Sequence, residues 1–279
     1  MASAWLLAAA VVTRIVSLSP NVTEILDGIG AFDRVVAVSK FCEFPAEVEH
    51  LPRVGGWTDT SLEQVVALEP DLVIMADAQG PLIEEKLQAL GLVTLVVKSQ
   101  SLADIFDAIA TIGDAVGNEK EARKLVETMR ADLQEIHHRV EGRAPPRVLM
   151  VVDRLPGTLR DIYIATEGSY LTDLVRIGGG DPITPKAPHN YAGISAEALV
   201  SFDPEVIFDM VQALTIPVAG AGSIDLAEDP QSVWRTVSVR AVETGRVYPL
   251  SDKRLVHPSQ FVVLAAREIA KRLHPEAFP

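Results

Sequence analysis

Residues 61–74 read SLEQVVALEPDLVI, and residues 195–208 read SAEALVSFDPEVIF. The second stretch is a loose copy of the first. Ser, Glu, Val and Pro recur in place, and most other positions are conservative exchanges. Each copy reads as a helix stopped by proline and followed at once by a short, wholly apolar strand. A unit written once in each half of a chain means one lobe duplicated. A solenoid would need shorter and more numerous periods.

Working outward from the first copy, RIVSLSP (14–20), RVVAVS (34–39), DLVIMA (71–76) and VTLVVK (93–98) read as strands. NVTEILDGIG, PLIEEKLQALG and SLADIFDAIATIGDAVG read as the helices between them. Asn21 with Glu24 three residues on reads as a capping box. Strands alternating with helices predict a mostly parallel sheet covered on both faces. Around the second copy, RVLMVV (147–152), DIYIAT (161–166), EVIFDMV (205–211) and RVYPLS (246–251) read as strands, and SQFVVLAAREIAKRLH (259–274) as the closing helix.

Between the halves lies NEKEARKLVETMRADLQEIHHRVEG (118–142). Ala122, Leu125, Val126, Met129, Leu133, Ile136 and Val140 recur at helical spacing, and Asn118 with Glu121 gives a second capping signature. Such a helix is about 35 Å long. The expected fold is α/β, with two Rossmann-like lobes joined by a single long helix and a ligand cleft between the lobes. The expected boundaries are 1–12 for an apolar leader remnant, 13–117 for the first lobe, 118–142 for the bridging helix and 143–279 for the second lobe.

The chain has 279 residues, 48% of them hydrophobic, and a net charge of −13. That charge argues against a nucleic-acid partner. It suits a basic partner surface or a neutral or cationic ligand. Cys42 is the only cysteine, so no internal disulfide is available; it reads as a small buried filler. Residues 4–12 look like the core of a signal peptide without its basic start, which implies export. The run is too short to span a membrane, and no cysteine follows it for a lipid anchor.

Ligands of open α/β sheets bind beyond the carboxyl ends of the strands. Those ends hold Ser19, Pro20 and Asn21, then Lys40, Phe41 and Cys42. Trp57 lies in the VGGWTD loop and Tyr191 in HNYAGIS. Arg254 and His257 lie in SDKRLVHPS (251–259) after the last strand. Large flat side chains at such a mouth suit a large, partly apolar ligand. For Phe41 and Trp57 the competing role is core packing, which is also the reading for Trp234. For Arg254 it is surface pairing, and for His257 capping the last helix. The six histidines include no two at ligand spacing on one element, so no metal site is expected. GIGAF and GGGD follow helices, where glycine ends a helix, and neither makes a phosphate loop. No nucleophile, zinc or P-loop motif supports an enzyme, so no catalytic residue is named.

Seven stretches together resemble one family. They are RIVSLSPNVTEIL, FCEFPAEV, LPRVGGWTDTSLEQVVALEPDLVI, GSYLTDLVRIGGG, ISAEALVSFDPEVIF, VWRTVSVRAVETGRVYPL and RLHPEAF. In this order, from Arg14 to Phe278, they resemble the substrate-binding proteins of ABC importers for cobalamin, ferric siderophores and haem, with the cobalamin branch the nearest match. The resemblance implies a monomeric, periplasmic or otherwise extracytoplasmic carrier. Its cargo would be cobalamin or a related corrinoid, or alternatively a ferric siderophore or haem.

The resemblance also implies that each lobe docks on a permease dimer through a glutamate, here Glu63 and Glu197. Phe41, Trp57 and Tyr191 match ligand-facing aromatics, and Pro20 a ligand-touching loop. Many relatives carry arginine where this chain has His257, and a His or Tyr there would suit iron. Glu63 also has a plain account, closing a capping box with Thr60. Glu197 lacks that account, because Ile194 stands at the matching position. The remaining readings are a cytoplasmic ligand-sensing module, if the leader is retained, and an enzyme on the same two-lobe scaffold.

Overall fold

The structure is a computed structural model that describes residues 12–210 and 230–278. The leader expected at 1–12 falls outside these, save Val12. The chain divides into two compact units. Of the described residues, 12–99 and 106–127 form the first, and 100–105 and 128–278 the second.

The first unit holds β1 (Ile15–Ser17), α1 (Pro20–Gly28), β2 (Val35–Val38), α2 (Leu62–Ala67), β3 (Leu72–Ala76), α3 (Gly80–Ala89) and β4 (Thr94–Val97). The strands form one sheet in the order β2-β1-β3-β4, and every pair is parallel. All five residues of β3 are buried, which is why it reads as an unbroken apolar run rather than an alternation. Val16, Val65, Val73, Met75, Ile83 and Leu87 share one core.

Helix α1 corrects the expected cap. Its N-cap is Ser19, and Pro20 takes the first helical position, where a missing N–H costs nothing. Asn21 is therefore inside the helix. Gly30, at φ +72°, ends it: Ala31 N donates to Leu26 O at 2.8 Å.

Helix α4 (Leu102–Val116) and helix α5 (Glu119–Val140) follow. Ala122, Met129, Leu133, Ile136 and Val140 form the buried stripe of α5. Residues 119–127 of α5 count with the first unit and the rest with the second. Asn118 is committed elsewhere. Its Nδ2 donates to Ile29 O at 2.8 Å, and its Oδ1 accepts from Arg34.

The second unit holds β5 (Arg147–Asp153), β6 (Ile162–Ala165), α6 (Tyr170–Ile177), β7 (Asp181–Pro182), β8 (Tyr191–Ile194), α7 (Ala196–Phe202), β9 (Val206–Asp209), α8 (Pro230–Trp234), α9 (Arg240–Glu243), β10 (Val247–Pro249) and α10 (Val262–Leu273). Its sheet runs β10-β9-β5-β6-β8, with β7 also on β5. β10, β9 and β5 are parallel, while β6 is antiparallel to both β5 and β8. The reversal follows from the short 154–161 connection. A parallel return would need a crossover of a dozen residues or more. β7 and β8 were not foreseen, because they are short and carry Pro182 and Gly193.

The two copies fold alike in detail. Val65 and Leu199 are fully buried at the matching helix position. Glu69 and Asp203, just before each proline, both take left-handed backbone, at φ 45° and 43°. Asp71 N donates to Arg14 O at 2.8 Å, and Glu205 N to Arg147 O at 2.9 Å. Ile15 pairs with Leu72 as Val148 pairs with Val206. Each copy thus lays its strand parallel to the first strand of its own unit.

Candidate functional site

In the first unit a chain of hydrogen bonds ties together the loops at the carboxyl ends of β1, β2 and β3. Ser17 Oγ and Thr23 Oγ1 lie 2.7 Å apart, and Thr23 Oγ1 lies 3.1 Å from Cys42 Sγ. Cys42 is wholly buried. Burial pushes its thiol pKa up, against hydrogen bonds from Thr23 and Ser39, so it is a packed neutral thiol rather than a nucleophile.

The VGGWTD loop grips Lys40 and Phe41. Lys40 N donates to Gly55 O at 2.7 Å, and Lys40 Nζ meets Asp59 Oδ2 at 2.7 Å. Gly56 N donates to Asp59 Oδ1 at 2.8 Å. The Lys40 hydrogen bond and then the Gly56 amide hold the Asp59 carboxyl below its ordinary pKa. Neither glycine has room for a Cβ without a shift nearby. Gly55 sits at φ +99°, and a Cβ there would lie 2.3 Å from Asp59 O. A Cβ on Gly56 would lie 2.7 Å from Phe41 Cε2 and 2.5 Å from Lys40 Cε. Trp57 is exposed on the loop, and Phe41 is half-buried beside it. Thr60 Oγ1 donates to Gly56 O at 2.6 Å and accepts from Gln79 Nε2 at 3.3 Å, which joins the β3 loop to the same network. Lys40 was placed at this strand end by the sequence, but Gly56, Asp59 and Gln79 were missed. The paired glycines before Trp57 were the available signal.

Pro20 is half-buried at the start of α1. Asn21 does not face solvent as expected. It is 3% exposed, its Oδ1 accepts from Ser19, and its Nδ2 lacks a hydrogen-bond partner among the described residues.

In the second unit Tyr191 lies in edge strand β8, not in a loop at a strand's carboxyl end. Its register partner is Ala165, while Tyr163 on β6 pairs with Gly193. Residues two apart share a sheet face, so Tyr163 and Tyr191 are diagonal neighbours on one face, with Gly193 leaving room beside the Tyr163 ring. They are 48% and 41% exposed. Tyr163 was missed, although its alternation with Ile162 and Ile164 marks it as facing away from the core.

Arg254 does not extend freely. Its Nη2 meets Asp252 Oδ2 at 2.7 Å and its Nε meets Asp252 Oδ1 at 3.1 Å, and its guanidinium lies 5.9 Å from the Phe261 ring centre. Arg254 in turn holds the Asp252 carboxyl below its ordinary pKa. His257 is half-buried and does not cap the last helix, whose N-cap is Phe261. Strands β8 and β10 lie at opposite edges of the sheet path, four inter-strand steps or roughly 19 Å apart. Trp234 is fully buried, and its indole N–H donates to Asp209 Oδ2 at 2.8 Å. The same oxygen takes Arg154 Nη2 at 2.9 Å. Trp234 packs the core, as expected.

Both glutamates are exposed in the first turn of a short helix. The caps differ from expectation. Ser61 Oγ accepts from Gln64 N, and Ser195 Oγ accepts from Ala198 N. Thr60 is spent on Gly56, so Glu63 closes no box with it. Glu63 and Glu197 thus stand in the same relation to the same cap. The Ser195 hydroxyl holds the Glu197 pKa below its ordinary value.

Among the described residues no helix is long and apolar enough to cross a membrane, and no group of three or more His, Cys, Asp or Glu side chains is arranged to hold a metal ion.

A family model described as periplasmic binding protein matches residues 15–253. A vitamin B12-binding protein of Vibrio cholerae is 28% identical over 263 residues, covering 93% of this chain and 88% of its own. An uncharacterized ABC transporter substrate-binding lipoprotein of Bacillus subtilis is 25% identical over 270 residues, covering 95% and 81%. Among solved structures, a periplasmic haem-binding protein of Pseudomonas aeruginosa superposes with TM-score 0.81 at 20% identity, covering 96% of this chain and 95% of its own. A periplasmic vitamin B12-binding protein of Vibrio cholerae superposes with TM-score 0.77 at 23% identity, covering 96% and 99%.

Proposed function

The chain belongs to the periplasmic binding protein family, and from that premise we propose that it captures cobalamin or a related corrinoid and hands it to the permease of an ABC importer. It is a binding protein, not an enzyme. The observation that carries the choice of cargo is the pair of aromatic platforms. Phe41 packs beside the Gly55–Asp59 loop that carries the exposed Trp57, and Tyr163 and Tyr191 share one sheet face. A corrin ring offers broad apolar faces for stacking and an amide rim for hydrogen bonds. Pro20, Phe41 and Trp57 are the proposed contacts from the first unit. Tyr163, Tyr191 and His257 are those from the second. Arg254 contributes as an ion pair already formed with Asp252, and Asn21 as a buried support of the Pro20 turn. The edge-to-edge width of the second sheet favours a large ligand.

Glu63 and Glu197 are the proposed docking residues, one per unit, for a two-fold symmetric permease. The carrier acts as an exported monomer.

Haem is the second reading. The phenols of Tyr163 and Tyr191 and the imidazole of His257 are the ligand types that hold haem iron. A parallel calorimetric titration of ligand-stripped protein with cyanocobalamin, haem and a ferric siderophore decides. Saturable binding of cyanocobalamin alone is expected. Tight haem binding with a shifted Soret band, and none of the corrinoid, would overturn the corrinoid reading and move attention to the tyrosines and His257.

A further inference from the structure

Four positions are identical between the two copies, and the structure accounts for three. Ser61 and Ser195 cap their helices. Pro70 and Pro204 stop them. Glu63 and Glu197 place an acid in the first turn, where the helix dipole favours it. The fourth pair, Val66 and Val200, has no such account. These valines are 38% and 48% exposed, and valine is a weak helix former. Scattered exposed apolar residues are ordinary. An exposed valine kept at one place in two copies, where most neighbours have been exchanged, is a different observation.

Helical spacing sets what the valines adjoin. Residues three and four apart share a face. Val66 and Ala67 therefore flank Glu63, as Val200 and Ser201 flank Glu197, and all six are exposed. The opposite face, Val65 or Leu199, is buried. Each copy thus presents one acid beside one valine and one small residue.

We propose that each copy carries a composite docking patch, Glu63 with Val66 and Glu197 with Val200. Each patch seats on a partner surface that offers a basic side chain beside an apolar hollow. This rests on the reading of the glutamates as docking residues. An exposed ion pair by itself contributes little, because water screens it. An apolar flank that closes over the pair removes that water and strengthens the attraction. The partner is the two-fold symmetric permease, since one patch type presented twice fits two equal sites. The chain's net charge of −13 complements a basic receiving surface.

The test measures binding of labelled, cargo-loaded protein to right-side-out membrane vesicles from the source organism's cells. A photo-crosslinking residue is placed at position 66, 200 or, as a control, 82, and the captured polypeptide is identified by mass spectrometry. Val66→Ser with Val200→Ser is expected to weaken vesicle binding about tenfold with cargo affinity unchanged. Crosslinks to the permease are expected from 66 and 200 and not from 82. Full binding by the serine pair, with loss in Glu63→Gln/Glu197→Gln, would overturn the composite patch and leave glutamate docking intact. Full binding by both double variants would overturn the docking reading and the patch together. Loss in the serine pair alone would overturn the pairing of acid with valine.

Discussion

Glu69 and Asp203 close the two copied helices in the same left-handed conformation, at φ 45° and 43°, yet they are held differently. Among the described residues the Glu69 side chain has no hydrogen bond or ion pair, while its carbonyl accepts from Arg14 Nε at 3.2 Å. Asp203 accepts from the Arg240 backbone N–H at 2.9 Å and from Arg240 Nε at 2.8 Å. The Asp203 side chain offsets the conformational cost by fastening the start of α9, and the Glu69 side chain does not.

Glycine substitution should separate the two. Glu69→Gly is expected to raise stability by about 0.5–1 kcal/mol, since glycine takes this backbone without strain. Asp203→Gly should not gain, because relief of strain is cancelled by the lost Arg240 contacts. Urea denaturation midpoints of both variants check this, and equal gains would show that the Arg240 contacts contribute nothing.

The glycines of the Trp57 loop should fail in different ways. Gly55→Ala meets backbone at 2.3 Å in a conformation alanine resists, and should cost about 1–3 kcal/mol of stability. Gly56→Ala meets mainly side-chain ends, which can move, and should leave the thermal midpoint nearly unchanged. It displaces Phe41, so cyanocobalamin affinity should fall about tenfold. Calorimetry of binding and of unfolding on the same samples measures both.

The pairing of β6 with β8 sets Tyr163 beside Tyr191. Tyr163→Ala is expected to weaken cargo binding by about 1–2 kcal/mol, comparable to Tyr191→Ala. Tyr163→Phe should retain a corrinoid but not haem held through the phenol. An unaltered affinity in Tyr163→Ala would remove the second aromatic platform from the site.

Arg154 and Asp209 form an ion pair whose side chains are 3% and 2% exposed. Asp209→Asn strands a buried guanidinium and should cost about 3–5 kcal/mol. Trp234→Phe loses only the indole hydrogen bond and some packing, and should cost about 1–2 kcal/mol. Chemical denaturation of both variants ranks the losses, and the reverse order would place the stability in the aromatic packing instead.

Acid should weaken the first strand's anchor. Asp71 accepts from Thr13 N at 2.8 Å, Thr13 Oγ1 at 2.9 Å and Arg14 N at 2.9 Å. These donors, Thr13 first, hold its pKa below the ordinary 3.8. A depressed folded-state pKa contributes in full above the unfolded value and is lost as pH falls through the folded one. The stability difference between wild type and Asp71→Asn should therefore be present near pH 7 and shrink below about pH 4. No difference near pH 7 would mean that the amide accepts these hydrogen bonds as well as the carboxylate does.

What was legible in the sequence was whatever short-range chemistry dictates. The repeat, the helix stops at Pro70 and Pro204, the apolar strands of the first sheet and the stripe along α5 all follow from turn chemistry and periodicity. They depend only on residues close together in the chain, and the family resemblance rests on the same stretches. Tertiary structure decided the rest, because it depends on residues distant in the chain. The caps moved to Ser19, Ser61 and Ser195 once backbone geometry fixed where each helix begins. Gly193 made room for Tyr163 only after β8 paired with β6. Arg254 met Asp252 in a turn no pattern announced. Asn21 turned inward because Pro20 claimed the first helical position. The sequence by itself determined two related α/β units and the residues at their strand ends; which of those side chains stand exposed and which are already taken was settled by packing.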